Sequence, residues 1–416
     1  MYDIAIALYA FIVRLVSPFN KKAKKMLAGQ QKTFSVLAEN IDPEARYIWF
    51  HAASLGEFEQ GRPLIEKIRA EKPEYKILLT FFSPSGYEIR KDYAGADVVC
   101  YLPFDFRRNV VRFLDLANPE IAIFIKYELW MNYLNSLKAR HIPTYIISAI
   151  FHPNQIFFRR YGSCYRNVLN NYQWFFVQDD QSMNLLKRFN HHNITVTGDT
   201  RFDRVYQISR QSKQLPLIEQ FVRRTDRMRL ILIAGSTWDK DEEILIPYFN
   251  LHPEIKLIIA PHETTESRIA ELQSRITRPS VRYTQACEDS IKKAECLIID
   301  CIGLLSAIYR YGDAAYIGGG FGAGIHNVLE AAVYGMPVLF GSNYGKFKEA
   351  IELIVCGGAF PVANGEDFAA RISSFTACPQ LLQSVGEKAK NYVIANLGAT
   401  QRIFEAVIPH SLHSPL

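Results

Sequence analysis

Carboxylates, histidines and a run of glycines stand in this sequence where apolar, strand-like stretches give way to polar ones. Glu57 lies in HAASLGEFEQGRPLIEKI (51–68). Its spacing from Ser54 fits an N-cap residue and an N3 carboxylate, which together satisfy the first N–H groups of a helix. The same carboxylate, at a strand end facing a ligand, has the chemistry of a general base that takes a proton from an attacking hydroxyl. Spacing leaves cap and base both open. In either role the helix dipole is expected to hold its pKa down and keep it ionised at neutral pH. Asn327 and Glu330 repeat the spacing and the ambiguity.

Between residues 318 and 324, five glycines let backbone N–H groups approach a ligand just ahead of a helix expected to begin near Asn327. A phosphate suits such a place. The stretch matches G-x-G-x-x-G in no register, and Ser342 and Asn343 end the next strand where an acid would hold a ribose, which disfavours NAD. G-x-x-x-x-G-K-[ST] is absent, which excludes a P-loop nucleotide hydrolase. His51 and His262 each end a strand. His51 reads as a buried, hydrogen-bonded residue, His262 as either that or a ligand contact, and His326 as a hydrogen-bond donor to a phosphate or a cap. Trp49, Trp130, Trp174 and Trp238 read as mostly core. No His/Asp cluster ends any strand, so no catalytic metal and no other cofactor is expected.

The elements that must position these groups alternate short β-branched or aromatic runs with helix-length amphipathic stretches, the pattern of βα units and parallel sheets. A first series comprises YIWFHA (47–52), KILLTFF (76–82), DVVCYLPF (97–104), EIAIFIK (120–126), PTYIISA (143–149), WFFVQ (174–178) and ITVTG (194–198). SRQSKQLP (209–216) lacks apolar periodicity and reads as a linker. A second series follows: RLILIAG (229–235), IKLIIAP (255–261), ECLIID (295–300), AAYIGGG (314–320), PVLFG (337–341) and AFPV (359–362). The expected organisation is an N-terminal anchor with a basic flank (1–25), a first Rossmann-like domain (26–208), a linker (209–226) and a second Rossmann-like domain (227–416). Ligands of such sheets bind beyond the carboxyl ends of the strands, so a cleft between two facing domains is expected.

A chain of 416 residues with 49% apolar and 22% charged residues can bury two cores. Its seven cysteines form no CxxC pair, which fits a reducing compartment and no zinc site. A net charge of +6 favours acidic partners. The first residues, MYDIAIALYAFIVRLVSPFNKKAKK, form an apolar run followed by Lys21, Lys22, Lys24 and Lys25. The charge follows the run instead of preceding it, so the segment reads as a membrane anchor and not as a cleaved signal. Whether it spans or lies on the membrane is open, because a span needs about 20 apolar residues. A surface helix packed on the protein itself is the alternative. The lysines would sit near anionic lipid, with the rest of the chain on the cytoplasmic side. No basic helix or aromatic-basic sheet motif beyond these lysines points to nucleic acid.

HAASLGE, SPSG, YELW, GDTRFD, AGSTWDKDEE and GGGFGAGIHNVLEAAVYGMPVLFG, in that order between about residues 47 and 350, together resemble the Kdo transferases. These are inverting GT-B enzymes of glycosyltransferase family 30. They move 3-deoxy-D-manno-octulosonic acid (Kdo) from CMP-Kdo to the lipid A precursor in lipopolysaccharide synthesis, on the cytoplasmic face of the inner membrane of Gram-negative bacteria. The resemblance implies two doubly wound α/β domains, closing over the donor, with the final helices crossing back to the first. It implies Glu57 as catalytic base, and Glu128 and Arg201 as stabilisers of the transition state. It places CMP contacts at Pro261 and His262, at Ile302, Gly303 and Leu304, and at Asn327, Val328, Leu329 and Glu330, with Gly320 and Gly322 in the phosphate loop. Lysine is usual in the family at the place of Arg201, arginine at His262 and glutamate at Leu304, and IKY precedes ELW where M-E-T is common. The competing readings are a GT-B transferase that uses a UDP-sugar on a glycolipid or peptidoglycan acceptor, and a binding protein without turnover.

Overall fold

A computed structural model describes residues 2–159, 162–211, 214–223 and 229–408, apart from the side chains of residues 163 and 164. The chain forms two compact units, Met1–Arg204 with Leu397–Leu416, and Val205–Asn396. In the stretch expected as linker, residues 212, 213 and 224–226 lie outside the described residues. The rest is helical except at residues 214, 215 and 223. Helix Thr200–Gln211 runs into it and helix Pro216–Val222 follows, burying Ile218 and Phe221.

The first unit carries β1 (Arg46–Ala52), β2 (Tyr75–Phe81), β3 (Val98–Tyr101), β4 (Ile121–Ile125), β5 (Thr144–Ala149), β6 (Trp174–Val177) and β7 (Ile194–Val196). They form one parallel sheet in the order β3-β2-β1-β4-β5-β6-β7. Parallel strands covered on both faces must be apolar along their length, and β1 is buried from Tyr47 to Ala52. Its side chains alternate between two cores: Trp49 packs with Leu78 and Phe124 on one face, Ile48 and Phe50 with Leu79 and Ile123 on the other.

The second unit carries β8 (Leu230–Thr237), β9 (Ile255–Pro261), β10 (Ser280–Arg282), β11 (Cys296–Ile298), β12 (Ala314–Ile317), β13 (Val338–Gly341) and β14 (Ala359–Val362), again all parallel, in the order β10-β11-β9-β8-β12-β13-β14. Strand β10 was not expected from the sequence: Ser280–Arg282 is three residues long and sits at the sheet edge.

The last described helix, Ala399–Val407, belongs to the first unit. Its Ile403, Phe404 and Val407 join Phe58, Ile65 and Ile68 in the core of that unit. Asp203, the last residue of GDTRFD, fixes the helix start by accepting the N–H groups of Gly398 and Thr400 at 2.7 and 2.6 Å.

At the other terminus, helix Tyr2–Val16 is followed by helix Lys21–Asn40 after a bend of 119°. No single helix among the described residues is long and apolar enough to cross a membrane. One side of Tyr2–Val16 docks on the first unit: Ala10 is buried, Tyr9 stacks on Phe82, and Asp3 accepts from Asn132. The other side exposes Ile4, Leu8, Phe11, Ile12 and Leu15, and Phe19 beyond them is 92% exposed.

Candidate active site

The first unit reverses its strand order between β1 and β4, and such a reversal opens a crevice at the carboxyl ends of the strands. After β1 the chain turns at Ala53 and Ser54 into helix Leu55–Glu71, whose third residue is Glu57. Ser54 is the N-cap residue but makes no side-chain cap bond. The carboxylate of Glu57 instead reaches past it and accepts the N–H of Ala53 at 2.6 Å. Glu57 is 7% exposed. Burial, and then the negative charge of Glu128, push its pKa up to about 7 against the pull of the Ala53 N–H and of Lys126. The expectation that the helix start holds this pKa down is therefore corrected: desolvation outweighs the dipole. A carboxyl poised near neutrality is a stronger base than an ordinary one.

Glu128 follows β4. It accepts the indole N–H of Trp130 at 2.7 Å and lies 3.4 Å from Nε2 of His51. His51 is fully buried, 2.9 Å from the Thr80 hydroxyl, which also accepts the indole N–H of Trp49 at 2.8 Å. The hydroxyl of Tyr172 donates to the backbone carbonyl of Glu128. The carboxylate is thus held by Trp130 in the segment after β4 and by His51 on β1, which Thr80 on β2 supports in turn.

Arg201 stands beyond β7, three strands from β4. Its Nε and Nη2 meet Asp199 Oδ2 at 2.8 and 2.7 Å, and its backbone N–H meets Oδ1 at 2.9 Å. Asp199 is also the neighbour of Gln60 Nε2 at 3.4 Å, which ties the GDTRFD turn to the helix that carries Glu57.

The second unit reverses its order between β8 and β12. There a cavity of about 520 Å³ is lined by Trp238, His262, His326, Phe321 and the glycine loop. Trp238 stacks on His262 with ring centroids 4.4 Å apart, and His262 stacks on His326 at 4.8 Å. The indole N–H of Trp238 points at Nε2 of His326 at 3.2 Å. Burial, and then His262, hold the pKa of His326 below its usual value, and its Nε2 faces the indole donor as an acceptor. Tryptophan is core only in part: Trp49 is fully buried, whereas Trp238 is 41% exposed on this wall.

The glycine loop folds on itself. The N–H groups of Gly322 and Gly324 both point at the carbonyl of Gly319, whose φ of +93° suits glycine. Gly320 lies so close to Gly341 that a Cβ would come within 2.5 Å of backbone. Asp241, almost fully buried, accepts from Trp238 N, Tyr316 Oη and Gly319 N at 2.8–2.9 Å. Asn343 donates its backbone N–H to Gly320 O and its amide to Gly322 O. The helix after the loop spans only Leu329–Ala332, with Val328 as N-cap, so it starts later than Asn327 and is one turn long. Asn327 accepts from Leu329 N at 3.1 Å and donates to Glu330 at 3.1 Å. Of the expected donor contacts, His262 and Gly322 line the cavity, and Pro261 ends β9 next to His262. Ile302, 90% exposed, Gly303 and Leu304 lie beyond β11, two strands from β8, outside the cavity wall. Among the described residues no group of three His, Cys, Asp or Glu side chains is placed to hold a metal ion.

Residues 24–204 match the family model of 3-deoxy-D-manno-octulosonic-acid transferase (kdotransferase), and residues 214–392 match that of glycosyl transferases group 1. A 3-deoxy-D-manno-octulosonic acid transferase of Haemophilus influenzae is 25% identical over 88% of this chain and 88% of its own, and one of Aquifex aeolicus 25% identical over 82% and 89%. The chain is a glycosyltransferase that resembles the Kdo transferases. Its fold is GT-B. A UDP-GlcNAc 2-epimerase of Neisseria meningitidis has a TM-score of 0.60 at 14% identity, covering 86% of this chain and 99% of its own. The MurG of Acinetobacter baumannii has 0.54 at 13%, covering 87% and 99%.

In this glycosyltransferase the sequence reading had overlooked Asp241 and Asn343 as clamps of the glycine loop and Lys126 as a charge beside Glu57. Asp241 was readable as the N3 acid of WDKD, four letters that resemble any helix start.

Proposed function

We propose that this glycosyltransferase moves Kdo from CMP-Kdo to a phosphorylated lipid A precursor, with inversion at the anomeric carbon. Glu57 takes the proton of an acceptor hydroxyl, the freed oxygen attacks the anomeric carbon, and the bond from that carbon to the phosphate oxygen of CMP breaks, its electron pair leaving with CMP. Glu128 and Arg201 hold charge around the oxocarbenium-like state. Pro261, His262, Gly320, Gly322 and the segments 302–304 and 327–330 take CMP, which needs no acid to depart. The observation that carries this reading is the Glu57 carboxyl: buried beside a second carboxylate at a strand-order reversal, with its pKa pushed up to about 7.

The N-terminal helix would lie in the membrane surface without crossing it. Fifteen residues reach about 22 Å, short of a hydrocarbon core of about 30 Å, and the helix exposes one apolar side next to four lysines. This would keep the enzyme on the cytoplasmic face of the inner membrane, beside its lipid acceptor and anionic headgroups.

The test is CMP release from CMP-Kdo by the purified chain, with and without a tetraacylated, bisphosphorylated lipid A precursor, for wild type and Glu57→Ala. Lipid-dependent release that the variant loses while it still binds CMP is expected. No release by wild type would sink the donor assignment and turn the search to UDP-sugars. Full activity of Glu57→Ala would leave Glu57 as a helix-start residue only.

A further inference from the structure

Lys126 follows β4 directly, at the order reversal that holds Glu57 and Glu128. Its φ is +74°, a left-handed backbone that costs energy for any residue with a side chain. Its N–H donates to Ile147 O on β5 at 2.9 Å, so the conformation is locked to the neighbouring strand inside the sheet. The half-buried side chain makes no ion pair or hydrogen bond among the described residues, and its ammonium lies 5.5 Å from the Tyr127 ring. A lysine present only to neutralise its neighbours would close on one of the two carboxylates, and this one does not.

A substrate anion belongs in that place. The oxygen that loses its proton to Glu57 lies about 3 Å from the carboxylate, and the carbon it attacks about 3 Å further on. In a 2-ulosonic acid donor that carbon itself bears a carboxylate. The reaction therefore brings a third anion up to Glu57 and Glu128, which repels unless a cation stands among them. We infer that Lys126 is an anion-holding residue of the reacting centre, pairing with the carboxylate on the donor's anomeric carbon or with a phosphate beside the attacked hydroxyl of the acceptor. The inference rests on the Kdo-transfer reading.

The experiment uses the full chain as wild type, Lys126→Met, Lys126→Arg and Lys126→Gly. Steady-state rates are measured across a range of pH with CMP-Kdo and with two acceptors, one bisphosphorylated and one lacking the phosphate nearest the attacked hydroxyl. The expected result is a KM raised by about tenfold in Lys126→Met and largely restored in Lys126→Arg. A rise in the donor KM assigns the donor carboxylate. A rise in the acceptor KM that disappears with the monophosphorylated acceptor assigns the phosphate.

Lys126→Gly is expected to share the KM defect and yet melt at a higher temperature than wild type, because glycine relieves the left-handed backbone. Glu57 is faced by Glu128, Lys126 and the Tyr127 phenol. Loss of the one cation among them moves the acid limb of kcat/KM to higher pH in the Met and Gly variants. Both KM values within about twofold of wild type in Lys126→Met would overturn the inference. An inactive wild type would overturn the Kdo reading and this inference with it, whereas an active wild type with an indifferent Lys126→Met overturns the inference alone.

Discussion

The two units of this glycosyltransferase place different chemistry at the same topological point. Between β1 and β4 stand ionisable side chains, Glu57, Glu128 and Lys126, with the carboxylates braced by Ala53 N–H, Trp130 and the buried His51. Between β8 and β12 stand flat rings and bare backbone, Trp238, His262 and His326 with the glycine loop, braced by Asp241 and Asn343. One set suits moving a proton, the other stacking against a flat ligand. A shared fold supplied the place, and the side chains assigned the work. Damage to the first unit's crevice should then lower turnover, and damage to the second unit's cavity should lower binding.

The largest effect is expected from Glu57→Gln, which keeps the shape and removes the base. We predict a fall in kcat of about 10³-fold, within the range of general-base catalysis, with CMP affinity by calorimetry unchanged. An equal loss of CMP affinity would break the division of labour. The converse variant is Asp241→Ala, which strands three donors, Trp238 N, Tyr316 Oη and Gly319 N. It should cost on the order of 3 kcal/mol of stability in thermal denaturation and weaken CMP binding more than about tenfold. The pH dependence of the residual activity should not move.

That pH dependence gives the next prediction. With a Glu57 pKa of about 7, kcat/KM should rise with pH through neutrality as the base ionises. Glu128→Gln removes a like charge and should shift this limb to lower pH. Stability runs the other way. The folded pKa lies above the unfolded value, so the contribution of Glu57 is complete below about pH 4.5 and is lost as pH rises through about 7. The difference is on the order of 3 kcal/mol, and Glu57→Gln should flatten it in urea denaturation at acidic and alkaline pH.

The strands were largely legible because strands buried on both faces need continuous apolar runs, and these stand out between polar strand ends; their order was not. Strand β10 was not, since Ser280–Arg282 is too short to carry a pattern. Glu57 was legible as a candidate and illegible in its pKa, because the burial that raises it is a property of the folded unit and Glu128, which raises it further, stands 71 residues away in sequence. The Trp238–His262–His326 wall escaped for the same reason: its members follow β8, β9 and β12, and only the sheet order brings them together. The start of the helix after the glycine loop was placed slightly early: Asn327 accepts from Leu329 N, but Val328 is the N-cap residue.

The smallest effect sharpens the comparison at its edge, where a charge stands outside both braced groups. Arg201 gives Nε and Nη2 to one oxygen of Asp199 and its backbone N–H to the other. Asp199 is buried, so that carboxylate depends on these contacts and on Gln60. Arg201→Lys keeps the charge and the backbone bond and exchanges a planar fork for a point donor. If Arg201 acts through charge alone, the loss should be about 1 kcal/mol, or up to about fivefold in kcat, with both KM values unchanged. A larger fall in kcat would mean that the fork itself touches the reacting sugar, which would draw the GDTRFD turn into the proton-moving half of the molecule. A rise in the donor KM alone would assign Arg201 to binding, and the line between the two kinds of chemistry would then run within the first unit.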